Sequence, residues 1–189
     1  FSVSKGIRRK PAAPSLSIYR SSGKPKIAWK AVSGATKYWI YRSTDGKSFK
    51  YYDSTKNTSY KNSSTSIGTT YYYKVKAVNA NGAASAYSAT KSIQCKPAAP
   101  SLSIYRTNGK PQLKWKAVDG ASKYWIYRST NGGDYKYYDS TTKLSYTNNA
   151  AASGTVYFYK VKAVAVVKGK NVSSAFSGSK NLFTTLTAP

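Results

Sequence analysis

An internal repeat constrains this chain more than any other feature of its sequence. Residues 10–20 read KPAAPSLSIYR, and the same eleven letters return unchanged at residues 96–106. The offset of 86 residues continues without a gap to Val78 and Val164, and 47 of the 69 aligned positions are identical. A unit of this length is large enough to form its own hydrophobic core. The sequence therefore predicts two similar domains, at residues 10–95 and 96–189.

The first nine residues align with the end of a repeat. Residues 1–7 lie 86 positions before residues 87–93, and both segments lead into the shared KPAAPSLSIYR. We therefore interpret residues 1–9 as the last strand of a preceding repeat, which predicts that the chain is a two-repeat part of a longer array. The alternative is a short protein with an N-terminal tail.

The hydrophobic pattern of each repeat indicates short β-strands. Ile27 and Trp29 alternate with other residues at the period of two that is typical of a strand with one buried side. Asp-Gly at 45–46 and Asn-Gly-Gly at 131–133 follow such runs and favour tight two-residue hairpins. No segment combines helical length with helical spacing. About seven short strands per repeat predict an all-β chain of two tandem antiparallel β-sandwiches.

Composition excludes several classes of function. The chain has 189 residues, 31 Lys+Arg against 5 Asp+Glu, no His and one Cys. Without His or Glu, few general acids or bases can be assembled and a His/Cys metal site cannot be built. We therefore predict no enzymatic activity, no cofactor and no metal. No run approaches the roughly 18 apolar residues of a transmembrane segment.

Two further residue types have modest expected roles. Cys95 excludes an internal disulfide because it is alone, and Thr184 takes its place in the second repeat. We therefore expect Cys95 to fill space in a strand. Asp53 and Asp139 recur at equivalent positions, and we expect each to pair with a nearby Lys or to cap a turn.

Several positions of each repeat match the pattern of a known domain family. A Pro pair precedes the first strand, a Trp lies in the second, and Tyr-x-Ile lies in the third. The sixth strand, GTTYYYKVKAVN at 68–79, follows the pattern Gly-Thr-x-Tyr-x-Val-x-Val-x-Ala-Val-Asn almost position by position. Each repeat therefore resembles a fibronectin type III domain along its full length. The signature positions are Trp29, Tyr38 and Tyr71 in the first repeat and Trp115, Tyr124 and Tyr157 in the second.

The resemblance implies further properties. Tyr71 and Tyr157 occupy the family's tyrosine corner, in which the hydroxyl bonds back to the preceding loop. Thr65 and Ala151 stand where the family has Leu, so the packing of that corner differs. The Lys-, Tyr- and Ser-rich composition is similar to that of tandem repeats in secreted or wall-attached proteins of Gram-positive bacteria. This similarity implies an extracellular or cell-wall-associated location.

Strand parity separates a core side from an outer side of each sheet. In residues 71–78 the odd positions are expected inward and the even positions, including Val78, outward. In the third strand Tyr38 and Ile40 are expected inward, and the residues that alternate with them outward. In this fold the third strand lies beside the sixth. The outward residues form a candidate ligand surface, here called the open face: Lys37, Trp39, Tyr41, Tyr72, Lys74 and Lys76 in the first repeat, and Lys123, Trp125, Tyr127, Phe158, Lys160 and Lys162 in the second.

Two interpretations of the open face remain. Flat aromatic rings can stack on sugars or bases, and Lys can bind acidic groups. These properties favour a ligand surface. Aromatic rings under Lys side chains are also how an exposed sheet covers itself, which favours a structural role. A slip of one residue would exchange the two sides, because residues 38–41 are apolar on both.

The positive charge is spread evenly over both repeats. Residues 10–95 carry 14 basic and 2 acidic residues, net +12, and residues 96–189 carry 14 and 3, net +11. No basic run or arm is present, so nucleic acid is not expected as a specific partner. A distributed positive field attracts polyanions without reading their sequence.

These observations predict a non-catalytic spacer and interaction module from a larger bacterial surface or secreted protein. Its expected partners are an anionic cell-wall polymer or glycan, bound diffusely, and neighbouring repeats and domains of the same parent chain. Pro97 and Pro100 predict a short, semi-rigid junction between repeats, and hence an extended array. The alternative is an adhesin-type module that binds a carbohydrate or a host ligand through the open face.

Overall fold

A computed structural model describes residues 9–185, so nearly all of the 1–9 segment lies outside the described residues. The described part consists of strands, turns and loops, with no helix. It divides into two compact units between Cys95 and Lys96. Within residues 9–185 no helix is present that is long and apolar enough to cross a membrane.

The first unit is a two-sheet sandwich. Its strands are β1 (Leu16–Ser21), β2 (Lys24–Trp29), β3 (Ala35–Ser43), β4 (Lys50–Thr55), β5 (Ser59–Lys61), β6 (Thr70–Asn79) and β7 (Lys91–Gln94). One sheet has the order β1-β2-β5 and the other β4-β3-β6-β7, and every pairing is antiparallel. The predicted all-β, antiparallel sandwich is confirmed.

The second unit repeats this arrangement with a longer hairpin. Its strands are β8 (Ser103–Thr107), β9 (Lys110–Lys114), β10 (Lys123–Ser129), β11 (Lys136–Thr141), β12 (Ser145–Thr147), β13 (Val156–Val167), β14 (Lys170–Ser173) and β15 (Lys180–Phe183). The sheets are β8-β9-β12 and β11-β10-β13, with both β14 and β15 paired to β13. The extra residues of this repeat extend β13 and form β14, where the first unit has one bridge between Val78 and Ala84.

The core of each unit lies between its two sheets. Tyr71, Tyr73, Val75 and Ala77 of β6 are buried, as strand parity predicts. They pack with the side chains that β1, β2 and β3 turn inward, including the indole of Trp29. The register across β3 and β6 therefore has the predicted parity, and the two sides of the sheet are not exchanged.

The prediction for Val78 is wrong. It was expected to point to solvent, but its side chain is fully buried. Val164 is equally buried in the second unit, where β10 and β13 pair without a register shift, and neither residue belongs to the core between the sheets. Val78 bridges to Ala84, where the chain folds back beside it.

The prediction of a two-residue hairpin at Asp45-Gly46 is also wrong. Six residues, 44–49, connect β3 to β4. The Asp45 carboxylate accepts hydrogen bonds from the backbone amides two and three residues later, both at 2.8 Å. Asn131 does the same in the second unit, at 3.0 Å. In each loop the Asp or Asn side chain accepts the hydrogen bonds that a partner strand would otherwise accept from the loop amides. A loop of six residues is therefore stable.

Asp53 was expected to pair with a Lys or to cap a turn, and its hydrogen-bond partners among the described residues are a Tyr hydroxyl and a backbone amide. Its carboxylate accepts the Tyr60 hydroxyl and the Ser54 amide, both at 2.7 Å. Cys95 is buried in the core, as a space-filling residue would be, with its Sγ 3.3 Å from the Thr65 hydroxyl. The Asp and the Cys are therefore both part of the internal packing of the first unit.

Candidate functional site: the open face and its lysine cover

The structure brings the predicted residues of the open face together on one side of β3 and β6. Trp39 lies opposite Lys76, and Tyr41 lies opposite Lys74. The equivalent pairs in the second unit are Trp125 with Lys162 and Tyr127 with Lys160. Directly opposed residues of antiparallel strands point to the same side, so each aromatic ring has a Lys as its cross-strand neighbour.

Aromatic rings on the open face pack edge to face. The ring of Tyr41 meets that of Tyr87 with centroids 4.9 Å apart, and that of Tyr51 at 5.9 Å, both nearly perpendicular. Tyr127 has the same relation to Phe176, at 4.8 Å. The ring quadrupole favours this geometry. Tyr87 and Phe176 were not among the predicted site residues, although their alignment between repeats was visible in the sequence.

Lysine ammonium groups of the open face lie over aromatic rings in both units. The Nζ of Lys74 is 4.2 Å from the ring centroid of Phe49, and the Nζ of Lys76 is 4.1 Å from that of Tyr87. In the second unit Lys160 lies 4.0 Å from Tyr135 and Lys162 4.1 Å from Phe176. These are cation–π distances. The ammonium groups therefore cover four aromatic rings that a sugar could otherwise use for stacking.

Tyr72 and Phe158 support loops. A Cβ at Gly46 would lie 3.1 Å from Tyr72 Cε1, and one at Gly132 would lie 3.2 Å from Phe158 Cε1. Both glycines have positive φ, 75° and 77°, which favours glycine by itself. The two rings therefore pack against the backbone of the loops after β3 and β10.

The two Trp residues of the open face are only partly covered by Lys side chains. Trp39 and Trp125 are half-buried. Lys37 lies 5.9 Å from the ring of Trp39 and Lys123 lies 6.0 Å from that of Trp125, near the limit of a cation–π contact. Their indoles are therefore less closely covered than the rings of Tyr87 and Phe176.

The open face carries positive charge. Burial raises the pKa of the Tyr41 hydroxyl, and the neighbouring Tyr87 and Tyr51 raise it further. Burial likewise raises the pKa of Tyr127, with a further contribution from Tyr137. Both phenols are therefore neutral at physiological pH, and the Lys side chains determine the electrostatic character of the surface.

The signature residues of the sequence are internal. The Ser66 amide donates to the Tyr71 hydroxyl at 2.9 Å, and the Ala152 amide donates to the Tyr157 hydroxyl at 3.1 Å. This is the contact of a tyrosine corner. Trp29, Tyr38, Trp115 and Tyr124 are buried, with each Trp against the Tyr of its own unit. Among the described residues no group of three or more acidic, His or Cys side chains is placed to hold a metal ion.

A second candidate site was missed by the sequence analysis. A surface cavity of about 470 Å³ lies beside the β3–β4 loop and includes Arg42 and Lys50 in its lining. A cavity of the same volume lies at the equivalent loop of the second unit, beside Arg128 and Lys136. The signal in the sequence was an Arg and a Lys that flank the Asp-Gly or Asn-Gly loop at the same positions of both repeats.

The architecture is that of tandem fibronectin type III domains. A segment of two fibronectin type III domains from chicken tenascin aligns with a TM-score of 0.50 and 15% identity, over 93% of this chain and 100% of that one. The FN1–FN3 domains of chicken CNTN1 align with a TM-score of 0.41 and 18% identity, over 94% of this chain and 69% of that one. At 15% identity, the similarity to the tenascin segment establishes the fold alone. No family model matches the sequence.

One curated relative is an enzyme of much greater length. An amylopullulanase of Thermoanaerobacter thermohydrosulfuricus is 46% identical over 59 residues. The matched segment is 30% of this chain, and it spans only 4% of the length of the amylopullulanase. The similarity therefore concerns a small part of that protein.

Proposed function

We propose that the two domains form a non-catalytic spacer and interaction module of a larger bacterial extracellular protein, with diffuse affinity for anionic cell-wall polymers. The observation that carries the proposal is that lysine side chains of the open face lie over aromatic rings. Its ammonium groups lie about 4 Å from aromatic rings in both units. This arrangement covers the rings with ammonium groups, so the solvent-facing side of the open face is positively charged.

The distribution of charge supports the same function. Each repeat carries 14 basic residues, and the whole chain has a net charge of +26. Lys26 and Lys114 lie on the β1-β2-β5 and β8-β9-β12 sheets, 5.9 and 5.6 Å from the rings of Tyr19 and Tyr105. Basic residues on both sheets favour attraction to a polyanion in many orientations.

The relation to the amylopullulanase supports the role within a larger protein. A similar segment there is a few per cent of a long enzyme, and a repeated domain with few catalytic residue types suits a spacing role beside a catalytic or adhesive domain. The parent protein is proposed to be secreted or wall-attached.

The second candidate function is binding of a carbohydrate or host ligand by the Trp residues. The observation that favours it is the weaker cover of Trp39 and Trp125. Half-exposed indoles suit stacking on a sugar ring.

Binding to Gram-positive cell walls, before and after chemical removal of their anionic polymers, distinguishes the two functions. We expect the W39A/W125A variant to bind intact walls as well as the natural chain does, and both proteins to lose binding to stripped walls. Binding that survives stripping but is lost in the Trp variant would reject the proposal and support a saccharide site.

A further inference from the structure

We infer that each domain has a discrete site for a phosphate group at the cavity beside its β3–β4 or β10–β11 loop. The Arg and Lys that flank the loop, Arg42 with Lys50 and Arg128 with Lys136, would bind it. The inference rests on the proposed attraction to anionic polymers and deepens it, since it replaces part of a diffuse field with one defined subsite per repeat.

The first argument is the pairing of two cations. Arg42 and Lys50 are direct partners across β3 and β4, and Arg128 and Lys136 are direct partners across β10 and β11. Opposed residues point to the same side, and like charges in this position repel each other. A bound dianion would turn this repulsion into attraction for both cations.

The second argument is the fixed position of the guanidinium group. Arg42 Cζ lies 3.9 Å from the ring centroid of Tyr52 and 5.2 Å from that of Tyr71. Arg42 Nη1 also donates to the Ser64 carbonyl at 3.2 Å. Stacking holds the planar group in one orientation, and a guanidinium has five N–H donors arranged to match the oxygens of a phosphate.

The second unit shows the same stacking of the guanidinium group. Arg128 Cζ lies 3.9 Å from the ring of Tyr138 and 4.9 Å from that of Tyr157. The two cavities have equal volumes of about 470 Å³, a size that accommodates a small phosphate ester. Because the two loops differ at four of their six positions, all except Thr44 and Gly46, the shared Arg, Lys and cavity are not a by-product of an identical loop.

The acidic side chains of the cavities are already engaged. Asp45 Oδ1 accepts the Ser43 hydroxyl at 2.5 Å and two loop amides at 2.8 Å. In the second unit Asp134 Oδ2 accepts from Asn131 Nδ2 at 2.9 Å. These carboxylates therefore hold the loops, while the guanidinium groups of Arg42 and Arg128 are held by aromatic rings.

Titration of the chain with inorganic phosphate and glycerol 3-phosphate, followed by two-dimensional NMR of the backbone amides, tests the inference. We expect saturable shifts confined to residues 42–50 and 128–136. Arg42→Gln should weaken the first site by roughly tenfold or more and leave the second unchanged. Arg128→Gln should do the reverse, so each unit serves as the control for the other.

Three further variants and one probe complete the test. Lys50→Gln removes an exposed cation and keeps the Arg42 stacking, so weaker phosphate binding in a folded first unit also supports the site. Lys30→Gln removes the same charge from the exposed position that follows β2 and should leave binding unchanged. Arg42→Lys keeps the charge without the planar fork and should bind more weakly than the natural chain. Shifts spread over all Lys residues, equal effects of Lys30→Gln and Arg42→Gln, or localised binding of glucuronate without phosphate would overturn the inference.

Retention on immobilised polyphosphate separates this inference from the proposed function. If the natural chain is retained at low salt but its phosphate shifts are diffuse, the discrete site is wrong and the diffuse attraction stands. If the chain is not retained at all, the proposed function itself is wrong.

Discussion

Removing the ring of Tyr41 distinguishes a structural open face from a ligand surface. Tyr41 makes two edge-to-face contacts, with Tyr87 at 4.9 Å and Tyr51 at 5.9 Å. Each such pair contributes about 0.5–1.5 kcal/mol beyond the burial of area. With the burial of a partly covered ring added, Tyr41→Ala should lower the free energy of unfolding of the first domain by about 2–3 kcal/mol.

Differential scanning calorimetry measures this effect. For a domain of roughly 90 residues, a loss of 2–3 kcal/mol lowers the melting temperature by about 10–20 °C. Tyr127→Ala should have the same effect on the second domain. Tyr19→Ala is the matched control, because Tyr19 is 45% exposed on the other sheet and has one Lys at 5.9 Å; it should cost less than about 1 kcal/mol.

Binding to cell walls, measured on the same Tyr41→Ala protein at a temperature where it is folded, should equal that of the natural chain. A variant with unchanged stability and lost binding would refute the reasoning, since it would mean that the ring is presented to a ligand and contributes little to the fold.

Three other predictions concern the fold. Asn62 is buried, and its side chain hydrogen-bonds to the hydroxyls of Tyr52 and Tyr73 at 2.9 and 2.8 Å. Asn62→Ala should lower the free energy of unfolding, measured with urea, by about 2–4 kcal/mol because both hydroxyls lose their partner. A loss below about 1 kcal/mol would contradict this. Gly46→Ala should cost about 1–2 kcal/mol by the same assay, since φ is 75° and the new Cβ would lie 3.1 Å from Tyr72; no loss would show that the loop rearranges freely. Burial raises the pKa of Tyr73 to about 12, so the folded state keeps a proton that the unfolded state releases above about pH 10. This contribution to stability is complete below about pH 10 and is lost as the pH rises towards 12. Tyr73→Phe should therefore flatten the dependence of the free energy of unfolding on pH between about 10 and 12.

The fold was predictable because its signals are local and occur twice. Period-two runs such as residues 27–29 and the sixth-strand pattern at 68–79 predicted strands and their parity, and burial of Tyr71, Tyr73 and Val75 agrees with that parity. The errors arose where non-local structure decides the outcome. Val78 is buried where the returning chain bridges to it at Ala84, and this contact is not visible in the residues around Val78.

The open face was predictable as a set of residues but its packing was not. Parity alone places Trp39, Tyr41 and Lys74 on one side of the sheet. The contacts of Lys76 and Tyr41 with Tyr87 could not be inferred, because Tyr87 follows the strands in an irregular segment whose position depends on the tertiary structure. The Arg42 cavity was missed for the same reason, since its aromatic support comes from β4 and β6.

The salt dependence of cell-wall binding tests the central claim most directly. Diffuse attraction between exposed charges is screened over about 8 Å at physiological ionic strength and over about 3 Å at 1 M. The dissociation constant for intact walls should therefore rise steeply between 50 mM and several hundred millimolar NaCl, with binding lost at the upper end. Binding that persists at 1 M NaCl and is competed by a single saccharide would contradict the account and assign these domains to a specific carbohydrate-binding function.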